Sequence, residues 1–221
     1  MADASMHRPL LLGHRGARAQ KSIPENTIAS FDQALADGCD GFEFDVRLTA
    51  DGDAVICHDP RIKETEIARA ATEDLPGLAQ FEQVLARYQD SAFLDIELKV
   101  LGLEKITAAL LHKYQPRRGF VVSSFLPEAL QAMRAEDSTI PLGLICEKRA
   151  ELRRWNQLAI EYVMPQRTLA NSALIAQLKG AGKKILVWTI NARADMRRLA
   201  DCGVDGIISD DTSLLCRTLA K

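Results

Sequence analysis

The sequence predicts an α/β fold in which eight strand–helix units close into a (β/α)8 barrel. Short apolar runs alternate with amphipathic stretches along the chain, and that alternation implies parallel strands joined by crossover helices. Eight such units can be counted, the number that closes a barrel. No composition break and no Pro/Gly/Ser-rich linker divides the 221 residues, so one domain over 1–221 is expected. An open doubly wound sheet is the alternative. The chain is short for a barrel, so its loops must be lean.

The first strand is 10–13, ending at His14-Arg15-Gly16. A helix follows, with Asn26 as its expected N-cap and Ile28, Phe31, Ala34 and Leu35 at helical spacing. Gly38 stops it. Strand two is 41–48, and the Asp51-Gly52 turn returns the chain through 54–57 as a hairpin-like extension. A helix over 78–88 leads to strand three at 93–99. A helix over 103–114 leads to strand four at 120–125. Pro127 suits the first turn of the next helix, which runs to about 135. Strand five is 142–146, with a helix at 151–158, and strand six is 162–164. Helix 172–179 stops at Gly180 or Gly182. Strand seven is 185–190, and helix 195–200 runs up to Gly203. Strand eight is 206–209, and a last helix covers 212–219.

Composition excludes several classes of function. Hydrophobic residues make up 47%, with a net charge of −2, so the chain is not expected to be disordered. The balanced charge provides no basic field for nucleic acid. There is no apolar run long enough to span a membrane, and residues 1–9 lack the apolar core of a secretory signal. Five cysteines at wide spacing, with no CxxC, argue against a disulfide framework or a zinc finger. They fit a reducing cytoplasm, each read as a small buried hydrophobe. Oligomeric state is not encoded legibly.

The chemistry sits where polar residues interrupt apolar strands. Side chains in a strand alternate faces. Glu43 and Asp45 therefore share one face of strand two, opposite Phe42, Phe44 and Val46. Asp95, Glu97 and Lys99 share one face of strand three, opposite Leu94, Ile96 and Leu98. The outer face of a barrel packs on helices, so the polar sets point inward. Unpaired buried carboxylates are costly and repel one another. A divalent cation relieves this, and a sulfur-free carboxylate set suits Mg²⁺ or Ca²⁺. The expected ligands are Glu43, Asp45 and Glu97. The competing reading is a buried salt-bridge network with Lys99 and Arg15.

His14 ends the first strand and His58 ends the extension after strand two, beside the carboxylates. Barrel enzymes gather catalytic groups at the C-terminal ends of their strands, and two imidazoles there suit a general acid and a general base. His7 and His112 lack that context and are expected on the surface. Arg15 and Lys99 sit at the same mouth, one a planar fork and one a point charge for phosphate oxygens. Together these groups suggest phosphoester chemistry.

Those residues carry a resemblance. The segments Gly13-His14-Arg15-Gly16, Pro24-Glu25-Asn26-Thr27, Glu43-Phe44-Asp45-Val46, Asp51-Gly52 and His58-Asp59 resemble the opening of glycerophosphodiester phosphodiesterases. Glu97-Leu98-Lys99, Ser123-Ser124-Phe125, Val187 through Asn191 and Gly203 through Ile208 continue it in order. The resemblance implies a (β/α)8 barrel and a metal-dependent enzyme that cleaves glycerophosphodiesters to glycerol 3-phosphate and an alcohol. It implies His14 and His58 as the acid/base pair, with Glu43, Asp45 and Glu97 as metal ligands. Arg15 and Lys99 would contact phosphate, and the substrate's own 2-hydroxyl would be the nucleophile. Trp188 is expected as an apolar wall for the glycerol. Glu25 is read either as a helix-entry carboxylate or, preferably, as a partner orienting His14.

One departure stands out. Family members usually carry a longer insertion after the His58-Asp59 position, whereas here only 60–77 separates it from the next helix. A shorter overhang should admit bulkier alcohol groups. Two other functions compete: a lipid hydrolase of lysophospholipase D or sphingomyelinase D type, and a barrel that binds phosphodiesters without cleaving them. The lipid reading calls for an amphipathic basic docking stretch. The nearest candidate, Glu147-Lys148-Arg149, is short and mixed in sign.

Overall fold

The structure, a computed structural model, describes residues 8–219. His7 and most of the segment read as lacking a signal lie outside the described residues. Eight parallel strands form the barrel: β1 Leu10–His14, β2 Gly41–Leu48, β3 Phe93–Leu98, β4 Phe120–Ser124, β5 Leu142–Cys146, β6 Tyr162–Pro165, β7 Lys184–Val187 and β8 Gly206–Ser209. Each pairs with its sequence neighbours, and β1 pairs with both β2 and β8, which closes the ring. The expected barrel is therefore found and the open sheet is not. The extension Ala54–Ile56 pairs antiparallel with β2.

The helices are α1 Ile28–Ala36, α2 Phe81–Tyr88, α3 Glu104–Tyr114, α4 Pro127–Glu136, α5 Arg149–Leu152, α6 Ser172–Gly180, α7 Arg193–Asp201 and α8 Thr212–Leu219. Among the described residues, no helix is long and apolar enough to cross a membrane.

Strand alternation sorts the core into two layers. Outward residues such as Phe42, Phe44, Leu94, Ile96, Leu144 and Val187 pack on the helices. Inward residues Leu12, Phe93, Val121, Ile145, Tyr162, Met164, Leu186 and Ile208 fill the barrel. Behind β2, Phe31 stacks on Phe42 with centroids 4.2 Å apart, and Tyr88 meets Phe42 edge-on at 4.9 Å. Aromatic pairs of this kind contribute about 0.5–1.5 kcal/mol each beyond their burial. The outer face of β2 is thus firmly held while its inner face carries charge.

Several boundaries differ from the sequence reading. Thr27, not Asn26, caps α1, accepting from the Ser30 amide. Asn26 has φ +58° and is 6% exposed because its side chain is committed to Asp45. The helix expected over 151–158 is a single turn, α5, followed by a 3₁₀ turn at Trp155–Gln157. β7 stops at Val187 rather than at 190, and β3 and β4 each end one residue early. Helix α2 starts at Phe81 rather than 78, and β6 extends to Pro165. Of the cysteines, Cys39, Cys146 and Cys216 are buried as expected, while Cys57 and Cys202 are half-buried. His112 is exposed and pairs with Asp137 at 2.6 Å.

Candidate active site

The C-terminal ends of the strands enclose a cavity of about 260 Å³. Its lining divides in two. His14, Arg15, Glu43, His58, Asp95, Glu97 and Lys99 form a charged side, and Phe125, Ile145, Met164, Trp188 and Ile208 form an apolar side with Glu147 at the margin. No residue of 60–77 lines the cavity. That segment instead packs Ile67, Ala70 and Leu75 on Val55 as a small separate cluster.

Strand register builds the charged side. Across β1 and β2, His14 lies beside Glu43; across β2 and β3, Glu43 lies beside Asp95 and Asp45 beside Glu97. Glu43, Asp45 and Glu97 each offer an oxygen within 4.8 Å of the others'. Burial and the surrounding carboxylates hold the Glu43 carboxyl well above its usual range. Burial, followed by Asp45, pushes Glu97 up to about 7 against the pull of Lys99. Burial takes Asp95 to about 8, opposed by the Ser123 hydroxyl that donates to it at 2.7 Å. Asp45 goes the other way: burial raises it, but Lys99, Arg15 and the Asn26 amide together hold it low.

Glu43 Oε1 and Asp95 Oδ2 are buried without a hydrogen-bond partner. Carboxylates this close and this raised carry unmet acceptor capacity, so the donor set fits a hard divalent cation. The salt-bridge network weighed against a metal is present as well. Lys99 Nζ lies 2.5 Å from Glu97 and 3.2 Å from Asp45, and Arg15 Nε lies 3.2 Å from Asp45. Two cations offset only part of four buried carboxyls.

The loop after β1 is folded around this cluster. Arg15 has φ +54°, and its amide donates to Glu43 at 2.9 Å. Gly16 follows at φ +81°, where a Cβ would run into the backbone of Ser30. The Arg15 carbonyl accepts from the Asn26 amide and the Ser30 hydroxyl. The left-handed turn therefore needs glycine at 16 and brings Arg15 and Asn26 to the carboxylates together.

His14 Nδ1 lies 2.7 Å from Asp210, and its Nε2 lies 3.8 Å from Glu43. Asp210 also accepts from Asn191 at 2.7 Å and Arg18 at 3.2 Å. Burial raises the Asp210 carboxyl, but these donors, His14 first, hold it far below its usual range. The sequence reading missed Asp210, although the alternation Gly206, Ile208, Asp210 continues the inward phase of β8 by one step. The same reading gave Glu25 to His14. Here Glu25 bonds Arg15 at 2.7 Å and Arg18 at 2.5 Å, and it orients guanidinium groups rather than the imidazole. His58 is carried by Arg47, which donates twice to its carbonyl, and its Nδ1 lies 2.8 Å from Asp59. Burial lowers the His58 imidazole below its ordinary 6.5, with Asp45 opposing. Trp188 donates its indole N–H to the Met164 carbonyl at 2.8 Å and meets Phe125 edge-to-face at 5.5 Å.

Known proteins share this sequence pattern and this fold. The sequence profile of the glycerophosphoryl diester phosphodiesterase family matches residues 14–89 and 83–214. A glycerophosphodiester phosphodiesterase of Caldanaerobacter subterraneus subsp. tengcongensis is 30% identical, the match covering 97% of this chain and 99% of that one. An Oleispira antarctica phosphodiesterase, solved with the product sn-glycerol-3-phosphate, superposes with a TM-score of 0.84 at 25% identity, covering 96% of each chain. The Thermotoga maritima glycerophosphodiester phosphodiesterase superposes at 0.80 with 23% identity over 96% of this chain and 98% of that one. A family match over nearly the whole barrel, on a relative covered end to end, places this chain in the glycerophosphoryl diester phosphodiesterase family.

Proposed function

We propose that this protein hydrolyses glycerophosphodiesters to glycerol 3-phosphate and an alcohol. It would use a divalent cation and the pair His14 and His58. The observation that supports it best is the set of three carboxylates, two imidazoles and two cationic side chains at one cavity. The small-molecule diester is the expected partner. Glu43, Asp45 and Glu97 would hold Mg²⁺ or Ca²⁺, whose charge lowers the pKa of a coordinated hydroxyl.

The chain's own groups then divide the work. Arg15 and Lys99 neutralise the phosphate oxygens and hold the phosphorus in place. His58, kept neutral by burial, takes the proton from the substrate's 2-hydroxyl. The freed oxygen attacks phosphorus while the P–O bond to the alcohol breaks. His14, held at Nδ1 by Asp210, gives its proton to the departing oxygen. In the second half the roles reverse, and water opens the cyclic phosphate. No side-chain nucleophile is needed, because the attacking hydroxyl arrives already close to phosphorus. Trp188 lines the far side of the same cavity as an apolar wall.

The test is release of glycerol 3-phosphate from a panel of glycerophosphodiesters, before and after chelation and on return of Mg²⁺ or Ca²⁺. Metal-dependent release is expected. A 2-deoxy analogue should bind and inhibit without turnover. Absence of product from every diester with metal present would end this reading. Turnover of the 2-deoxy compound at the normal rate would show direct attack by water.

A further inference from the structure

We propose that Cys39 and Cys216 are a paired oxidation site, at which a hydroperoxide joins the two sulfurs in a disulfide that fastens the last helix across the seam of the barrel. Cys39 lies between α1 and β2, at the end of the barrel remote from the active-site cavity, and Cys216 lies on α8. Their sulfurs are 3.7 Å apart, although 177 positions separate them in the chain. Both side chains are buried. Contacts on either side hold the pair. Thr212, one turn before Cys216 on the same face of α8, donates its hydroxyl to Asp37 at 2.5 Å. Asp40 accepts from the Leu11 amide at 2.8 Å and pairs with Arg8 at 2.7 Å. The thiols of Cys57 and Cys146 are arranged differently, donating to the carbonyls of Asp59 and Leu144.

A cavity of about 230 Å³, lined in part by Cys39, Ser91 and Arg118, opens beside the pair and admits a molecule as small as hydrogen peroxide. The hydrogen bond between the sulfurs lowers the Cys216 thiol below its usual range and raises that of Cys39, so Cys216 ionises first. Its thiolate attacks one peroxide oxygen, the O–O bond breaks, and the departing hydroxide takes up the thiol proton as water. The Cys39 sulfur then attacks the sulfenic acid so formed and displaces its oxygen as a second water. Two thiols and one peroxide become one disulfide and two waters, and a dithiol reductant reverses the change. A disulfide brings its sulfurs to about 2 Å, a small closure for two side chains already in contact. The bond spans the seam of the barrel. β1 pairs with β2 on one side and β8 on the other, α8 follows β8, and Cys39 precedes β2. It closes a loop from 39 to 216, and a long closed loop removes much freedom from the unfolded chain.

The experiment treats the reduced full-length protein with hydrogen peroxide and reads its mass, its disulfide map and its thermal melt. Loss of two hydrogens is expected. Cleavage before aspartate separates Cys202 from Cys216, and the one disulfide found should join fragment 37–39 to fragment 211–221. The melting temperature should rise by about 5 °C or more and return to its starting value with a dithiol reductant. Cys39→Ala and Cys216→Ala should each abolish the mass loss and the rise, whereas Cys202→Ala should keep both. The map is read on wild type, so the site is decided even where a variant folds poorly. An unchanged mass, added oxygen on the half-buried Cys57 or Cys202, or a disulfide between other fragments overturns the site. A Cys39–Cys216 bond that leaves the melt unchanged overturns the fastening of α8. None of these readings depends on turnover of a diester.

Discussion

The inner surface of the barrel is built by one rule and filled in two ways. On the arc from β1 to β3 the inward positions beyond Leu12 and Phe93 are His14, Glu43, Asp45, Asp95, Glu97 and Lys99. On the arc from β5 to β8 they are Ile145, Met164, Leu186 and Ile208, with Trp188 just beyond β7. Each large apolar side chain buried there contributes about 1.5–3 kcal/mol. The buried carboxylates work in the opposite direction. The charged arc therefore depends on support from behind, where Phe31, Phe42, Phe44, Phe81 and Tyr88 pack as one aromatic cluster. One set of strands holds the barrel together from within, while the other gives its interior to chemistry and is held from outside.

The comparison breaks most sharply at the histidines. His14→Ala and His58→Ala should each lower kcat about 10²-fold or more while leaving the fold intact, because neither imidazole belongs to the apolar core. Steady-state rates alongside thermal melts check this. Turnover near the wild-type level in both variants would remove the acid/base pair from the mechanism.

The carboxylates come next. Glu97→Gln keeps the shape and removes a charge that burial already disfavours. Affinity for Mg²⁺ or Ca²⁺ should drop about tenfold or more by titration calorimetry, and the melting temperature of the metal-free protein should change little. The opposite pattern, unchanged affinity with a large stability loss, would make Glu97 a salt-bridge partner of Lys99 only.

Much of this contrast is legible in the sequence. Period-two alternation put Glu43, Asp45, Asp95, Glu97 and Lys99 on the inner face, and the register then set them side by side. What escaped lay one step past a strand end or depended on distant chain. Asp210 and Glu147 continue the inward phase of β8 and β5, but they sit in loops where alternation is not usually extended. Asparagine is common at helix N-caps, which is what the sequence suggests for Asn26. Its left-handed backbone and its bond to Asp45 are tertiary facts. The 151–158 helix failed for a local reason: after α5 the chain tightens into a 3₁₀ turn and then turns into β6.

Asp210 sharpens the comparison at intermediate size, being a charged residue just past β8 on the largely apolar arc. Asp210→Asn should lower kcat roughly tenfold with little change in KM, since it orients His14 without touching substrate. In wild type the limb of the pH–rate profile set by His58 should have its midpoint below pH 6.5, because a lowered pKa keeps that imidazole neutral to lower pH. The Asp210 carboxyl is held low in the folded state, so its contribution to stability is full above the unfolded value near pH 4 and is lost as pH falls further. Asp210→Asn lacks that contribution, so its melting temperature should depend less steeply on pH in that acid range.

The smallest effect expected is on the apolar arc, at Ile145→Val. Ile145 is 5% exposed and packs in the inner cluster, where its parity places it against β4 and β6. Losing one methylene there should cost about 0.5–1.5 kcal/mol by urea unfolding, through lost burial and the small void left behind. Metal affinity should stay as it is, because none of the three carboxylates rests on β5. The pH limbs should also hold, since neither imidazole is bonded to that strand. The decisive reading is the split between the two measurements. A stability loss of that size with unaltered metal affinity is what a purely structural arc predicts. A fall in metal affinity comparable to that of Glu97→Gln would mean the two arcs are mechanically coupled through β4, and the division of labour inside this barrel would have to be withdrawn.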